Sequence, residues 1–273
     1  MHPCRQVDVF SPAPLLGNPV AVVHDADDLD PETMQAFAQW TNLSETTFLL
    51  RPTTDDADYR LRIFTPSREL PFAGHPTLGS AHAWLEAGGT PKGTGLVQEC
   101  VAGLVTIDRG ERLAFQAPPL LREGPVDAGD LIKITHALGI SQNDVVDATW
   151  VDNGPGWVGV LLNDAHDVLA LRPDQSELEG WDIGVVGPWR DGGSDADVEV
   201  RAFDSFTEDP VTGSLNASLG QWLAGTVLPE RYVAAQGTAI GRRGRVHVRR
   251  EGSTVWVGGD TRTTVRGEVS VAD

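Results

Sequence analysis

Asp209 and Ser214 flank a short turn in the stretch Glu208-Asp209-Pro210-Val211-Thr212-Gly213-Ser214, after which Leu215, Leu219, Trp222 and Leu223 fall on one apolar stripe at helical spacing. A helix opening at Gly213 leaves its first backbone N–H groups without partners inside the helix, and such a start attracts anions. An earlier stretch, Gly74-His75-Pro76-Thr77-Leu78-Gly79, also opens a helix at a glycine and adds an imidazole. Carboxylate, hydroxyl, imidazole and amides together suit proton transfer on a small anionic molecule.

The two stretches are related. A shift of about 139 residues carries Arg62 onto Arg201, Phe64 onto Phe203, Glu69 onto Glu208, Pro71 onto Pro210 and Gly74 onto Gly213, and it sets His75 against Ser214. Gly17 and Gly156, each before a valine-rich strand, lie at the same offset. In each copy a strand (residues 59–64 and 198–203) leads through a turn to a helix ending in Trp-Leu. Self-similarity of this kind reads as two related α/β domains facing each other across a cleft. A pseudo-twofold relation between them would bring both glycine-opened starts to that cleft.

The elements that must position these residues are short strands alternating with short helices. Strands are expected at residues 6–10, 18–23, 46–50, 59–64, 96–101, 104–107 and 113–116, with helices from 30 to about 41 and from about 76 to 85. Asp30-Pro31-Glu32 is a helix start with its cap and first-turn proline in place. Glu45 falls at the mouth of a strand, where a glutamate is ordinarily solvated. The run Ala117-Pro118-Pro119-Leu120-Leu121-Arg122-Glu123-Gly124-Pro125 breaks periodicity and reads as the linker. The expected domains are 1–117 and 118–262, with a strand at about 263–273 packing back on the first.

Composition narrows the partners. The chain has 273 residues, 40% of them hydrophobic, enough to bury a core. Its formal net charge is −18, and Lys92 and Lys133 are its only lysines, which argues against nucleic acid or an anionic membrane. No long apolar run marks a membrane span, and Cys4 and Cys100 form no disulfide framework, so a cytoplasmic protein with a small-molecule partner is expected. His75 and His82 stand seven residues apart, too far for adjacent helical turns to share a metal, and no metal is expected. Lys92 in a loop and Lys133 on an amphipathic helix offer no Schiff-base site, and no Gly-x-Gly-x-x-Gly turn marks a nicotinamide site.

Four segments, Gly17-Asn18-Pro19-Val20-Ala21-Val22-Val23, Leu43-Ser44-Glu45-Thr46, Phe72-Ala73-Gly74-His75-Pro76-Thr77-Leu78-Gly79 and Glu208-Asp209-Pro210-Val211-Thr212-Gly213-Ser214, closely resemble the PhzF-like family of phenazine biosynthesis, in the same order, from Val7 to about Gly267. The resemblance implies an α/β (α+β) protein of the diaminopimelate-epimerase-like fold: two pseudo-symmetric domains, each a curled, mostly antiparallel sheet around a central helix. It implies an isomerase without cofactor or metal, in which Glu45 moves a proton between carbons of a small cyclic amino-acid-like carboxylate. By the same matching, His75, Asp209 and Ser214 line the site, amides at Gly74 and Gly213 hold the carboxylate, and Asn18 joins the substrate-binding set. A homodimer is implied as well.

Blander readings stand beside these. His75 can be a local cap, Asp209-Pro210 an ordinary turn initiator, Ser214 a first-turn hydroxyl and Asn18 a turn residue. Two departures bear on the substrate: Phe203-Asp204-Ser205-Phe206-Thr207 replaces a common Pro/Gly-containing approach, and Leu215-Asn216 stands where many members have Ala-His. Racemases of related fold that use two thiols carry a cysteine in each half's motif, and neither motif has one here. A cofactor-free epimerase of another kind, and a non-catalytic binding protein, are the alternatives.

Overall fold

A computed structural model describes residues 1–204 and 207–271; Ser205 and Phe206 of the departing segment, and the last two residues of the expected C-terminal strand, lie outside the described residues. The chain divides into two units, Met1–Gln116 with Gly258–Asp273, and Ala117–Val257. The first unit runs β1 (His2–Val9), β2 (Asn18–Val23), α1 (Pro31–Thr41), β3 (Glu45–Leu50), β4 (Tyr59–Phe64), β5 (Glu69–Leu70), α2 (Gly74–Glu86), β6 (Leu96–Cys100), β7 (Gly103–Arg109) and β8 (Leu113–Gln116). The second continues with β9 (Arg122–Pro125), α3 (Ala128–Leu138), β10 (Val145–Asp152), β11 (Trp157–Leu162), α4 (Ala165–Ala170), β12 (Asp182–Pro188), β13 (Val198–Phe203), β14 (Glu208–Asp209), α5 (Gly213–Leu223), β15 (Arg231–Gln236) and β16 (Gly244–Glu251). The division falls within β17 (Thr254–Gly259), and β18 (Thr261–Val269) completes the first unit.

In the first unit β1 lies antiparallel between β2 and β18, β2 and β3 are parallel, β4 is antiparallel to β3, and β4 and β6 are parallel. This sheet curls around α2, whose residues 74–81 are all buried and which packs on β1, β2, β3, β8 and β18. Close approach demands a glycine at Gly79, where a Cβ would stand 2.3 Å from Val20 Cγ1. On the other face α1 is capped by Asp30, which accepts from Thr33 N–H, and it ends at Asn42 in the left-handed region, φ 53°. Met34 and Ala38 on α1 fill a core with Val23, Leu29, Phe48 and Phe64.

The second unit repeats this wiring. β11 and β12 are parallel, β12 and β13 antiparallel, β13 and β15 parallel, and β15 and β16 antiparallel. Its central helix is α5, buried along most of its length, with Gly220 pressed against Val248 and Val255. The core on the other face gathers Ile134 and Leu138 of α3, Val168 of α4, and Val158, Val160, Ile183 and Phe203 of the strands. Phe64 pairs with Glu69 and Ile63 with Leu70; Phe203 pairs with Glu208 and Ala202 with Asp209, the same register in both copies. The mixed α/β architecture of curled sheets around central helices is the one the sequence motifs imply.

Three expectations need correcting. Residues 122–125 of the expected linker form β9, antiparallel to β10, with the Thr149 hydroxyl donating to the Gly124 carbonyl at 2.8 Å. Its Pro125 is tolerated because an edge strand leaves one side of its backbone unpaired. The second helix begins at Gly74 rather than near residue 76, so His75 lies inside the first turn. The first strand begins at His2 and ends at Val9, because Phe10 turns into the left-handed region at φ 68°.

Candidate active site

Each unit carries its own cluster at the start of its central helix. In the first, a glycine is required at Gly17, where a Cβ would lie 2.2 Å from the Val9 carbonyl oxygen. The buried Asp8 carboxylate holds the incoming loop by accepting from the N–H groups of Leu16 (3.2 Å) and Gly17 (3.1 Å). Asn18, fully buried, then opens β2. Parallel pairing sets Glu45, the first residue of β3, beside Val20. Gly74 and His75 are the first two residues of α2, and His75 Nε2 lies 3.3 Å from Glu45 Oε2, with side-chain exposures of 5% and 15%.

This contact is not a simple ion pair. Burial pushes the His75 pKa down to about 3, opposed only in part by the hydrogen bond to the Pro19 carbonyl, so the imidazole is neutral. Nε2 makes no hydrogen bond of good geometry, so the bond to Pro19 belongs to the other ring nitrogen. A neutral ring that donates through Nδ1 presents a lone pair at Nε2. At 3.3 Å that lone pair lies within reach of a proton carried on the Glu45 carboxyl group.

In the second unit Asp209 ends the two-residue β14, and Thr212 is the residue before α5. Thr212 Oγ1 donates to Asp209 Oδ2 at 2.6 Å; Gln236 Nε2, from the end of β15, donates to Thr212 Oγ1 at 2.9 Å. Asn216 Nδ2 donates to the Thr212 carbonyl and to Gln236 Oε1, both at 2.9 Å. Gly213 and Ser214 open the helix, the Trp157 indole donates to Ser214 Oγ at 3.2 Å, and Asn153 Nδ2 donates to the Ser214 carbonyl at 2.9 Å.

Helix starts divide the molecule's helices into two kinds. Asp30, Asp127 and Asp164 cap α1, α3 and α4, each accepting a backbone N–H from the first turn. Ala73 and Thr212, which precede α2 and α5, make no such side-chain bond. An uncapped start buried in a protein offers N–H groups and a positive dipole end to an anion. Among the described residues, no group of three or more His, Cys, Asp or Glu side chains is placed to hold a metal ion. No helix of the described residues is long and apolar enough to cross a membrane.

The structure therefore brings Glu45, His75, Gly74 and Asn18 into one cluster, and Asp209, Gly213 and Ser214 into another. Sequence reading did not single out Thr212, Gln236, Trp157 or Asn153. Asn216 was noted only as a departure from the family's histidine, although its spacing of four from Thr212 is that of one helical turn. It also passed over Asp182, which heads β12 as Glu45 heads β3: Ile183 pairs with Phe203 as Thr46 pairs with Phe64.

Comparison with known proteins identifies the family. The model of the phenazine biosynthesis-like protein family PhzC-PhzF matches residues 7–272. The chain is 40% identical, across 98% of each sequence, to the Schizosaccharomyces pombe protein named antisense-enhancing sequence 1. It is 35% identical to the trans-2,3-dihydro-3-hydroxyanthranilate isomerase of Pseudomonas aeruginosa, over 93% of this chain and 92% of that one. A PhzF-family crystal structure from Enterococcus faecalis superposes with a TM-score of 0.82 at 26% identity, covering 98% of this chain and 99% of that one. With a family model spanning nearly its whole length and relatives named as isomerases, the chain belongs to the PhzC-PhzF phenazine biosynthesis-like family.

Proposed function

We propose that the protein is a cofactor- and metal-independent isomerase that moves a proton between carbons of a small cyclic amino-acid-like carboxylate, with Glu45 as general acid and base. The observation that carries this reading is the buried Glu45–His75 contact at 3.3 Å, in which a neutral imidazole faces the carboxyl group. The arrangement favours a carboxyl that takes a proton and gives it back over one that stays a fixed counter-charge. Withdrawal of a carbon-bound proton needs a base shielded from water, and both side chains are largely buried.

The reading assigns the remaining candidates to the same substrate. Backbone N–H groups at Gly74 and Gly213 hold its carboxylate, Asp209 and Ser214 orient it, and His75 and Asn18 complete the substrate-binding set. The relative's name supplies a substrate to try, trans-2,3-dihydro-3-hydroxyanthranilate. In the test, wild type and Glu45→Gln are incubated with this compound in deuterated buffer without added metal or cofactor. Wild type is expected to rearrange it with deuterium entering at carbon, and Glu45→Gln to lose about 10²–10⁴-fold in kcat. An undiminished rate in Glu45→Gln removes the residue from this role. Deuterium confined to Cα, with no migration of the double bond, replaces isomerisation with epimerisation.

A further inference from the structure

The Gln236 side chain is wholly buried, and two backbone groups whose roles cannot change fix its orientation. Its Oε1 accepts from the Thr212 N–H at 3.1 Å, and its Nε2 donates to the Asp209 carbonyl at 3.2 Å. Turning the amide over would set donor against donor and acceptor against acceptor. Asn216 reinforces the choice, since its Nδ2 donates both to the Thr212 carbonyl and to Gln236 Oε1. Once Nε2 donates to Thr212 Oγ1, the hydroxyl proton must point elsewhere, and it points at Asp209 Oδ2, 2.6 Å away. Backbone geometry thus dictates a one-way order of donation from Gln236 through Thr212 to Asp209.

We propose that Gln236 and Thr212 are positioning residues that lock the Asp209 carboxylate as an oriented acceptor for an N–H-bearing group of the substrate. Trp157 sets the opposite polarity at the same helix start: an indole can only donate, so Ser214 Oγ accepts from it and keeps its own proton to give to another group. One acceptor and one donor at the same helix start match the amino and carboxylate groups of an amino-acid-like substrate. The inference rests on the reading above, in which Asp209 and Ser214 orient the substrate.

Gln236→Glu keeps the shape and the oxygen facing Thr212 N–H but replaces the donor with an acceptor, so the Thr212 proton swings to it and the Thr212–Asp209 hydrogen bond is lost. Thr212→Val deletes the hydroxyl, and Thr212→Ser restores it. With trans-2,3-dihydro-3-hydroxyanthranilate as the probe, Gln236→Glu and Thr212→Val are expected to raise KM about tenfold or more with a smaller change in kcat, and Thr212→Ser to stay within about threefold of wild type. Crystal structures without ligand supply a second readout: in Gln236→Glu, the Asp209 carboxylate leaves hydrogen-bond range of Thr212 while the start of α5 stays in place. Unchanged KM in Gln236→Glu, Thr212→Ser as impaired as Thr212→Val, or a carboxylate that does not move overturns the proposal. A wild type that leaves the probe untouched sinks the isomerase reading instead, and the crystallographic result then decides the relay by itself.

Discussion

The two copies of the strand-turn-helix unit share one backbone plan and put different chemistry on it. Arg62 and Arg201 each bind a glutamate seven residues on with Nε and Nη2, and each guanidinium lies over the phenylalanine two positions later. Beyond this scaffold the copies diverge. Position 75 is a neutral imidazole against a carboxyl, whereas position 214 is a hydroxyl under an indole. The place of Asp209, with its hydroxyl and amide partners, is taken in the first unit by Leu70. Duplication preserved the helix starts without a side-chain cap and set an imidazole–carboxyl contact at one and a hydroxyl–carboxylate hydrogen bond at the other.

The scaffold itself differs in burial, and that difference is open to measurement. The Arg201–Glu208 side chains are 7% and 9% exposed, and Arg201 Nη1 also donates to the carbonyls of Val168 (3.2 Å) and Leu171 (2.9 Å) at the end of α4. The Arg62–Glu69 side chains are 16% and 29% exposed, and Arg62 Nη1 meets the Met34 sulfur at 3.6 Å in place of backbone carbonyls. Removing one partner of a buried pair strands a charge, so Arg201→Met should cost about 3–5 kcal/mol. Arg62→Met should cost about 1 kcal/mol, because solvent screens what is left. Denaturant unfolding of both variants checks this, and equal losses would erase the distinction between the copies.

The buried titratable groups of the two units oppose each other in pH. Burial holds His75 down to about 3, and His24, also beside Arg5, to about 4. Between these values and 6.5 the unfolded chain binds protons that the folded chain refuses, so this contribution to stability falls as pH drops below 6.5. Glu199 on β13 is pushed up to about 7 by burial, against the pull of Thr238, Arg245, Trp189 and Arg201. Its folded form keeps a proton that the unfolded chain releases above 4.5, so its contribution falls as pH rises from 4.5 to 7. Each slope is at most about 1.4 kcal/mol per pH unit. Glu199→Gln should flatten the loss between pH 4.5 and 7 and leave the acid limb intact. A variant with the wild-type stability profile would place the titration elsewhere.

How much of this could be read beforehand depends on distance along the chain. The offset of about 139 residues was legible because Arg62/Glu69 and Arg201/Glu208 are local pairs, and the strand register reproduces it residue for residue. Glu45 was reached only through resemblance, since a glutamate heading a strand carries no local sign of being turned inward. The relay was missed because Gln236 comes from 24 residues beyond Thr212, delivered by the parallel pairing of β13 and β15, and no periodicity records a crossover. Residues 122–125 misled for the converse reason: proline and glycine mark a break locally, yet the pairing partner, β10, makes them a strand.

The smallest expected effect tests the subtlest difference between the copies. Trp157 and Val20 hold matching places, since Trp157 pairs with Asp182 as Val20 pairs with Glu45, but only the indole has a polar edge to give. Trp157 is 5% exposed, so Trp157→Phe keeps most of its packing and removes one neutral hydrogen bond to Ser214. A bond of that kind contributes about 1 kcal/mol, or roughly fivefold in KM, if the Ser214 proton is offered to the substrate. The Asn153 bond to the Ser214 carbonyl holds the backbone independently, so the helix start should not move. A fivefold rise in KM with a melting temperature within a few degrees of wild type would show the indole setting hydroxyl polarity. An unchanged KM with a lowered melting temperature would make Trp157 a packing residue, and the two copies would then differ in their acids and bases alone.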